Sequence, residues 1–254
     1  MTVVNRRKLV IGAGASGVAA LALRNASAQT PASPAASPVA GEALLPVVEA
    51  TDQFNVLFIR HAESEVNVAP IPGVADDGVT YPLTLLGTQQ ANALAGTLGN
   101  IPVSAIYTST RTRCVQTATA ISLSHVVPLT LAPGIVETNF GDMSKLDIEK
   151  VYATMGAWAE GDLDAHTEGG ESLNDQLKRF LPEVQAAIDT YSDRPETLVF
   201  VAHGAVLAGC LPHLFTNLSP AFAFANGLHN TGIVSGTIRD GELVCTAWQG
   251  LAPQ

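Results

Sequence analysis

Two histidines in this chain each close a short apolar run. Phe54-Asn55-Val56-Leu57-Phe58-Ile59 leads into Arg60-His61, and Thr197-Leu198-Val199-Phe200-Val201-Ala202 leads into His203. Nearly continuous apolar runs of this length read as strands buried on both faces of a sheet. If the two strands run parallel, their carboxyl ends share a rim, which is where open α/β sheets bind ligands. Arg60 adds a planar, permanently charged fork suited to phosphate or carboxylate. Arg113, in Thr110-Arg111-Thr112-Arg113 at the start of a predicted helix, can reach the same rim, where the amide end of the helix also favours an anion. Two imidazoles and two guanidinium groups gathered there make a site for a small multivalent anion.

The elements that must position these groups alternate in type. The strand ending at Ile59 is followed by a polar loop to Pro82, then by a helix that Thr84 can cap and that extends to about Leu98. Ser104 to Tyr107 reads as a strand and Thr110 to about Ile121 as a helix. Leu146 to about Ala159 has helical period, and Ser172-Leu173-Asn174-Asp175 resembles a capping box opening a helix toward Tyr191, with Pro182 expected to kink or divide it. After the strand that ends at Ala202, residues 232 to 248 suggest a closing hairpin that turns at Asp240-Gly241. Alternating strands and helices predict an α/β fold: three layers, with a mostly parallel central sheet flanked by helices.

The first residues have a different character. Arg6-Arg7-Lys8 precedes an uncharged apolar or small stretch from residue 9 to 23, and Ala26-Ser27-Ala28 supplies a cleavage-type site. This reads as a signal peptide over 1–28 of the twin-arginine type, hence an exported protein. The apolar stretch is too short and too glycine-rich for a good membrane span, so no stable membrane insertion is expected after its removal. Gly12-Ala13-Gly14-Ala15-Ser16-Gly17 also satisfies a dinucleotide fingerprint. The sequence that should then supply a second strand and an acidic residue is Thr30-Pro31-Ala32-Ser33-Pro34-Ala35-Ala36-Ser37-Pro38, which cannot be a strand. Residues 29–50 read as a Pro/Ala/Ser-rich flexible linker, and 51–254 as the folded domain.

Charge narrows the partners. The chain carries a formal net charge of −10, and four of its cations, Arg6, Arg7, Lys8 and Arg24, but none of its anions, lie in the first 28 residues. The domain is therefore more acidic still and lacks a basic stripe, which argues against nucleic acid and anionic membranes and for a small partner. Three cysteines, Cys114, Cys210 and Cys245, lack zinc-site spacing and cannot all pair within one chain, so buried free thiols are expected. His125, His166, His213 and His229 show no metal-type spacing either.

Arg60-His61-Ala62-Glu63-Ser64-Glu65-Val66-Asn67 resembles the R-H-G-E-x-x-x-N signature of the histidine phosphatase superfamily, in the branch that includes cofactor-dependent phosphoglycerate mutases. Ala62 stands where glycine is usual, a change that ordinary backbone angles tolerate. The resemblance continues through Leu83-Thr84-Leu85-Leu86-Gly87-Thr88-Gln89-Gln90-Ala91, Tyr107-Thr108-Ser109 with Arg113 and Gln116-Thr117-Ala118, Glu137 with Phe140-Gly141, Gly169-Gly170-Glu171-Ser172 with Arg179, and Ala202-His203-Gly204. It implies a phosphoglycerate mutase-like fold and a phosphoryl group carried on His61. Arg60, Arg113 and His203 would hold the equatorial oxygens, with Asn67 and Gly204 also on the phosphate. Glu137 falls where the family carries its acid, and beside a dianionic phosphate a carboxyl is driven toward its protonated form. Glu63 and Glu171 are read as capping or pairing groups, Arg111 stays unassigned, though a better candidate than Arg113 for a solvated helix-start charge, and Asn230 and Thr231 are candidates for the rim. No metal or other cofactor is implied, because the cations are side chains.

Three functions remain in play. Water can resolve phospho-His61, making a phosphomonoesterase of a small phosphate ester. The phosphoryl group can instead return to another hydroxyl, as in a mutase, or the pocket can bind phosphate without turnover. Mutases of this family resemble one another in a long insert with added basic residues between the acid and the second histidine. Here 139–170 is short and holds Lys145 and Lys150 as its cations, which favours hydrolysis.

Overall fold

The computed structural model describes residues 53–68, 81–142, 145 and 147–254. The signal peptide and linker expectations, the start of the domain at residue 51 and most of the loop before Pro82 lie outside the described residues.

Six strands form one sheet in the order β3-β2-β4-β1-β5-β6. They are β1 (Asn55–Arg60), β2 (Val103–Thr108), β3 (Leu129–Leu131), β4 (Thr197–Ala202), β5 (Ile233–Arg239) and β6 (Glu242–Trp248). β1, β2, β3 and β4 pair in parallel, while β5 runs antiparallel to both β1 and β6. β1 and β4 lie side by side in a register that matches Arg60 to Ala202, so His61 and His203 leave adjacent strand ends.

Both central strands are buried on two faces, as their unbroken apolar runs require. Val56 and Phe58, with Leu198 and Phe200, face one core; Leu57 and Ile59, with Val199 and Val201, face the other. The second core is closed by α2 (Leu85–Leu98) and α3 (Thr112–His125) through Leu94, Leu98, Ala118 and Ile121. The first is closed by α4 (Ile148–Ala159), α5 (Leu173–Tyr191), α6 (Gly204–Cys210) and α7 (Pro220–Asn226), and a short turn, α1 (Glu65–Val68), follows β1. The predicted three-layer α/β arrangement is the one found. Phe58 centres the larger core, stacked on Phe200 with centroids 5.0 Å apart and edge-on to Phe215 at 5.9 Å. Removing such a ring costs about 3–5 kcal/mol.

Local chemistry sets the helix starts. Thr84 Oγ1 accepts from Gly87 N at 2.9 Å, capping α2, and Ser172 and Asp175 form the reciprocal capping box of α5. α3 begins at Thr112 with Arg111 as its N-cap, slightly later than the sequence suggested. Of the two outcomes expected at Pro182, a kink or a division, division does not occur: α5 runs through it as one helix. Pro182 and Lys178, whose carbonyl loses its helix partner to the proline, both face solvent, while Phe180 and Val184 pin the helix to the core on either side. The closing hairpin turns at Asp240 and Gly241, with φ of 53° and 83°. β3, α6 and α7 had no counterpart in the sequence reading. Among the described residues no helix is long and apolar enough to cross a membrane.

Candidate active site

The site sits where β1 and β4 end. His61 N donates to Ala202 O at 2.9 Å, and Thr231 N donates back to Arg60 O at 3.1 Å, so the backbone carrying the first histidine is clamped from both neighbours. The His61 ring is buried, with its Nδ1 2.7 Å from Ala62 O. A carbonyl can only accept, so Nδ1 carries the proton and Nε2 presents a lone pair. Arg113, 3 % exposed, donates from Nε to that lone pair at 3.2 Å. The His203 ring lies 5.2 Å from that of His61, at 67° to it. Both imidazoles are held well below the ordinary histidine range, mainly by burial and then by the surrounding positive groups. Each is therefore neutral near pH 7.

Ala62 occupies the usual glycine position without strain: its φ lies outside the left-handed region, and its N donates to Thr117 Oγ1 at 3.1 Å. Glu63 is structural. It accepts from Thr84 Oγ1 at 2.8 Å, its N donates to Gln90 Oε1 at 2.8 Å, and a Cβ on Gly87 would lie 1.8 Å from its carbonyl oxygen. These contacts explain the Thr-x-x-Gly-x-x-Gln spacing of the α2 block. Residues 84, 87 and 90 all clasp the backbone or side chain of Glu63 and so fix the loop after His61.

Arg60 donates from Nη1 to Leu228 O, and its Nε is buried without a hydrogen-bond partner. Burial lowers its pKa, and the negative charge of Glu137 opposes that shift. Gly204 packs beneath it: an added Cβ would stand 3.3 Å from Arg60 Nε. The role this glycine shows is thus to make room for the guanidinium. Asn67 lies at the exposed edge, its Oδ1 accepting from Ser64 N and Ser64 Oγ, each at 3.0 Å. Asn230 Nδ2 bridges Asn67 Oδ1, at 3.3 Å, to His61 O, at 3.0 Å, which places Asn230 on the rim as expected.

Glu137 approaches from the other side. Its carboxylate accepts from Thr138 N at 2.9 Å, Val206 N at 2.9 Å and Ala205 N at 3.3 Å, which ties it to the turn that follows His203. Arg179 holds its backbone. Nη1 donates to Gly134 O and Val136 O at 2.7 and 2.8 Å, Nη2 reaches Glu137 O at 3.4 Å, and Glu171 secures the guanidinium with contacts of 2.6 and 3.1 Å. Glu171 is accordingly structural.

Sequence reasoning left three contributors without a role. Ser109 Oγ is 2.8 Å from His203 Nε2, Cys114 Sγ is 3.4 Å from the same nitrogen, and Thr117 holds Ala62. The signal for Ser109 was its place directly after β2, on the same rim as both histidines. Arg111 is half-buried rather than solvated, and its charge acts on His203. The cysteines are all free and buried, and burial pushes the Cys245 thiol up to about 12. Apart from the histidine pair, a cleft of about 260 Å³ is lined by Phe140, Asp142, Lys145, Asp147, Lys150, Thr167, Glu168 and Gly169.

A parallel-centred α/β sheet with an Arg-His pair and a second histidine at adjacent strand ends defines a class of phosphoryl-group enzymes. The profile of the histidine phosphatase superfamily (branch 1) matches residues 56–250, and the chain belongs to that family. A probable phosphoglycerate mutase of Proteus mirabilis is 29% identical over 171 residues, covering 66% of this chain and 77% of its own. Among solved structures, a mycobacterial glucosyl-3-phosphoglycerate phosphatase superposes with a TM-score of 0.63 at 25% identity, covering 78% of this chain and 99% of that one. The phosphoserine phosphatase of Entamoeba histolytica, solved as a mutant with phosphoserine, gives 0.62 at 26% identity, covering 78% and 97%.

Proposed function

We propose that the protein is a phosphomonoesterase that carries the phosphoryl group on His61 Nε2. The observation that carries this reading is the tautomer: Nδ1 is bound to Ala62 O, so a neutral imidazole directs its lone pair into a cluster of cations. Attack by Nε2 forms the N–P bond as the ester P–O bond breaks, and the leaving oxygen takes a proton from Glu137. Water then attacks phospho-His61, giving its proton to the Glu137 carboxylate, and the N–P electrons return to Nε2 as phosphate leaves. Arg113, His203 and Arg60, whose buried Nε has an open hydrogen bond, supply donors for the equatorial oxygens. Asn67 stands at the mouth.

The name of the Proteus mirabilis relative supports a mutase as the second reading. Against it, Lys145 and Lys150 pair with Asp142 and Asp147 at 3.2 and 3.8 Å, and neither contacts the histidine pair. The Arg6-Arg7 pair, the apolar stretch and Ala26-Ser27-Ala28 support export, so the substrate is proposed to be a small ester met outside the cytoplasm.

Purified protein should release phosphate from small monoesters in the presence of EDTA, and His61→Ala should abolish release. Phosphoryl transfer between glycerates without free phosphate would favour the mutase. Phosphate binding with neither reaction would leave a binding protein.

A further inference from the structure

The loop between α7 and β5 is held on two sides, and one side is held by a residue so far without a role. Toward the site, Leu228 O accepts from Arg60 Nη1, Asn230 Nδ2 donates to His61 O at 3.0 Å, and Thr231 N donates to Arg60 O at 3.1 Å. From the opposite side the end of β6 reaches across. Gln249 N donates to Ile233 O at 2.8 Å, and the Gln249 side chain makes two bonds to the loop: Oε1 accepts from His229 N at 2.7 Å, and Nε2 donates to Gly227 O at 3.1 Å. Trp248 Nε1 donates to the same Gly227 carbonyl at 2.7 Å.

His229 N and Leu228 O belong to one peptide group. Its trans plane is rigid and points N–H and C=O in opposite directions, so fixing one end fixes the other. Gln249 holds the N–H end, and Arg60 meets the C=O end. Gln249 Nε2 and Trp248 also fix the carbonyl of the preceding peptide, which keeps the Leu228–His229 plane from rolling about the chain. Beyond the carbonyl, the guanidinium is itself a rigid fork. Anchoring Nη1 there, with Gly204 packed beneath, sets the direction of the buried Nε that is open to the phosphate. Two residues of this arrangement hold left-handed backbone angles that side chains disfavour, Thr231 with φ of 59° and Gln249 with φ of 50°. Such angles persist where the contacts around them over-determine the conformation, and they cluster at functional sites.

We infer that Gln249 is a positioning residue for phosphate binding: it orients the Leu228–His229 peptide, whose carbonyl aims Arg60 at the phosphate. This role rests on the phosphate contact given to Arg60 above and does not require turnover.

Gln249→Met keeps the length of the side chain and deletes both its acceptor and its donor. Orthovanadate affinity, measured by calorimetry, should fall about tenfold, the scale of a misdirected bond to a charged group. In an Arg60→Lys background the same change should cost no more than about twofold, because the lysine ammonium is a rotatable point charge that the peptide plane cannot aim. Gln249→Asn, too short to reach both peptide groups, should repeat the loss and serves if the Met variant does not fold. A purely structural Gln249 would lower Tm but leave the affinity of the folded variant at the parent value, or weaken binding equally in both backgrounds; either result would overturn the inference. So would a parent that binds no orthovanadate, since Arg60 would then lack its phosphate role. Orthovanadate binding with the expected pattern but no hydrolysis of any ester would overturn the phosphatase reading and leave Gln249 in its role.

Discussion

Acid should unfold this protein through its active-site imidazoles before its carboxylates matter. His61 and His203 are buried and held well below the ordinary histidine pKa, so the folded state keeps them neutral where the unfolded chain protonates them. The unfolded state then binds more protons, and stability rises with pH across the window between the depressed folded value and about 6.5. On lowering pH from 7 to 5, each imidazole that stays neutral in the fold removes about 2 kcal/mol, from a limiting slope of about 1.4 kcal/mol per pH unit. The pair removes about 4 kcal/mol, a large share of a typical folding free energy of about 5–15 kcal/mol. Urea unfolding at pH 7, 6 and 5 in phosphate-free buffer measures this loss directly. His203→Gln removes one titrating group yet retains a polar side chain that can bond Ser109 Oγ, so its stability should fall by about 2 kcal/mol less over the same range. If the parent and His203→Gln lose stability in parallel, His203 protonates as readily in the fold as outside it. The neutral, enclosed imidazole argued above would then be wrong.

Two further outcomes test how the site is supported. Gly87→Ala drives a Cβ to 1.8 Å from the Glu63 carbonyl oxygen, a backbone atom that cannot swing away. The expected cost is about 1–3 kcal/mol or more, seen as a fall in Tm of about 2–4 °C per kcal/mol, and an unchanged Tm would show that the loop after His61 is free to shift. Arg179→Lys keeps the charge but loses the fork that holds Gly134 O, Val136 O and Glu171. Glu137 should then be misplaced and kcat should fall by up to about 100-fold, while orthovanadate affinity, which depends on the cations, stays near the parent value.

The central strands and both histidines could be read from the chain because their signals are local. A run such as Leu198 to Ala202 is apolar at every position, and a strand so placed must end at the rim that carries His203. Thr84 and Ser172 announced their helices because a capping hydroxyl is a short-range device. α6 has seven residues and opens on Gly204-Ala205, too short for a period to show, and β3 has three. Cys114 escaped assignment for a different reason: nothing near it in sequence marks its meeting with His203, which pairing between β2 and β4 produces, and for Ser109 the one signal was its place at the end of β2. Arg179 was placed by family spacing alone. Its function depends on carbonyls about forty positions earlier, a relation without a local trace.

The Arg113–His61 contact links binding to reactivity on the reading proposed above. Arg113 Nε donates to His61 Nε2, so the lone pair that must attack phosphorus accepts a hydrogen bond. A phosphoryl oxygen offers Arg113 a charged acceptor, and charge-assisted bonds are roughly twice as strong as neutral ones. The guanidinium therefore gains by turning from the imidazole to the anion, and the same movement exposes the nucleophile. A neutral molecule entering the site offers no such exchange and leaves Nε2 covered. Electrostatics adds to the discrimination, since the cations that reinforce burial in keeping His61 and His203 unprotonated are those that the dianion neutralises. Once that charge is offset, the share of the penalty on imidazolium that the cations impose falls, while the larger share, burial, remains.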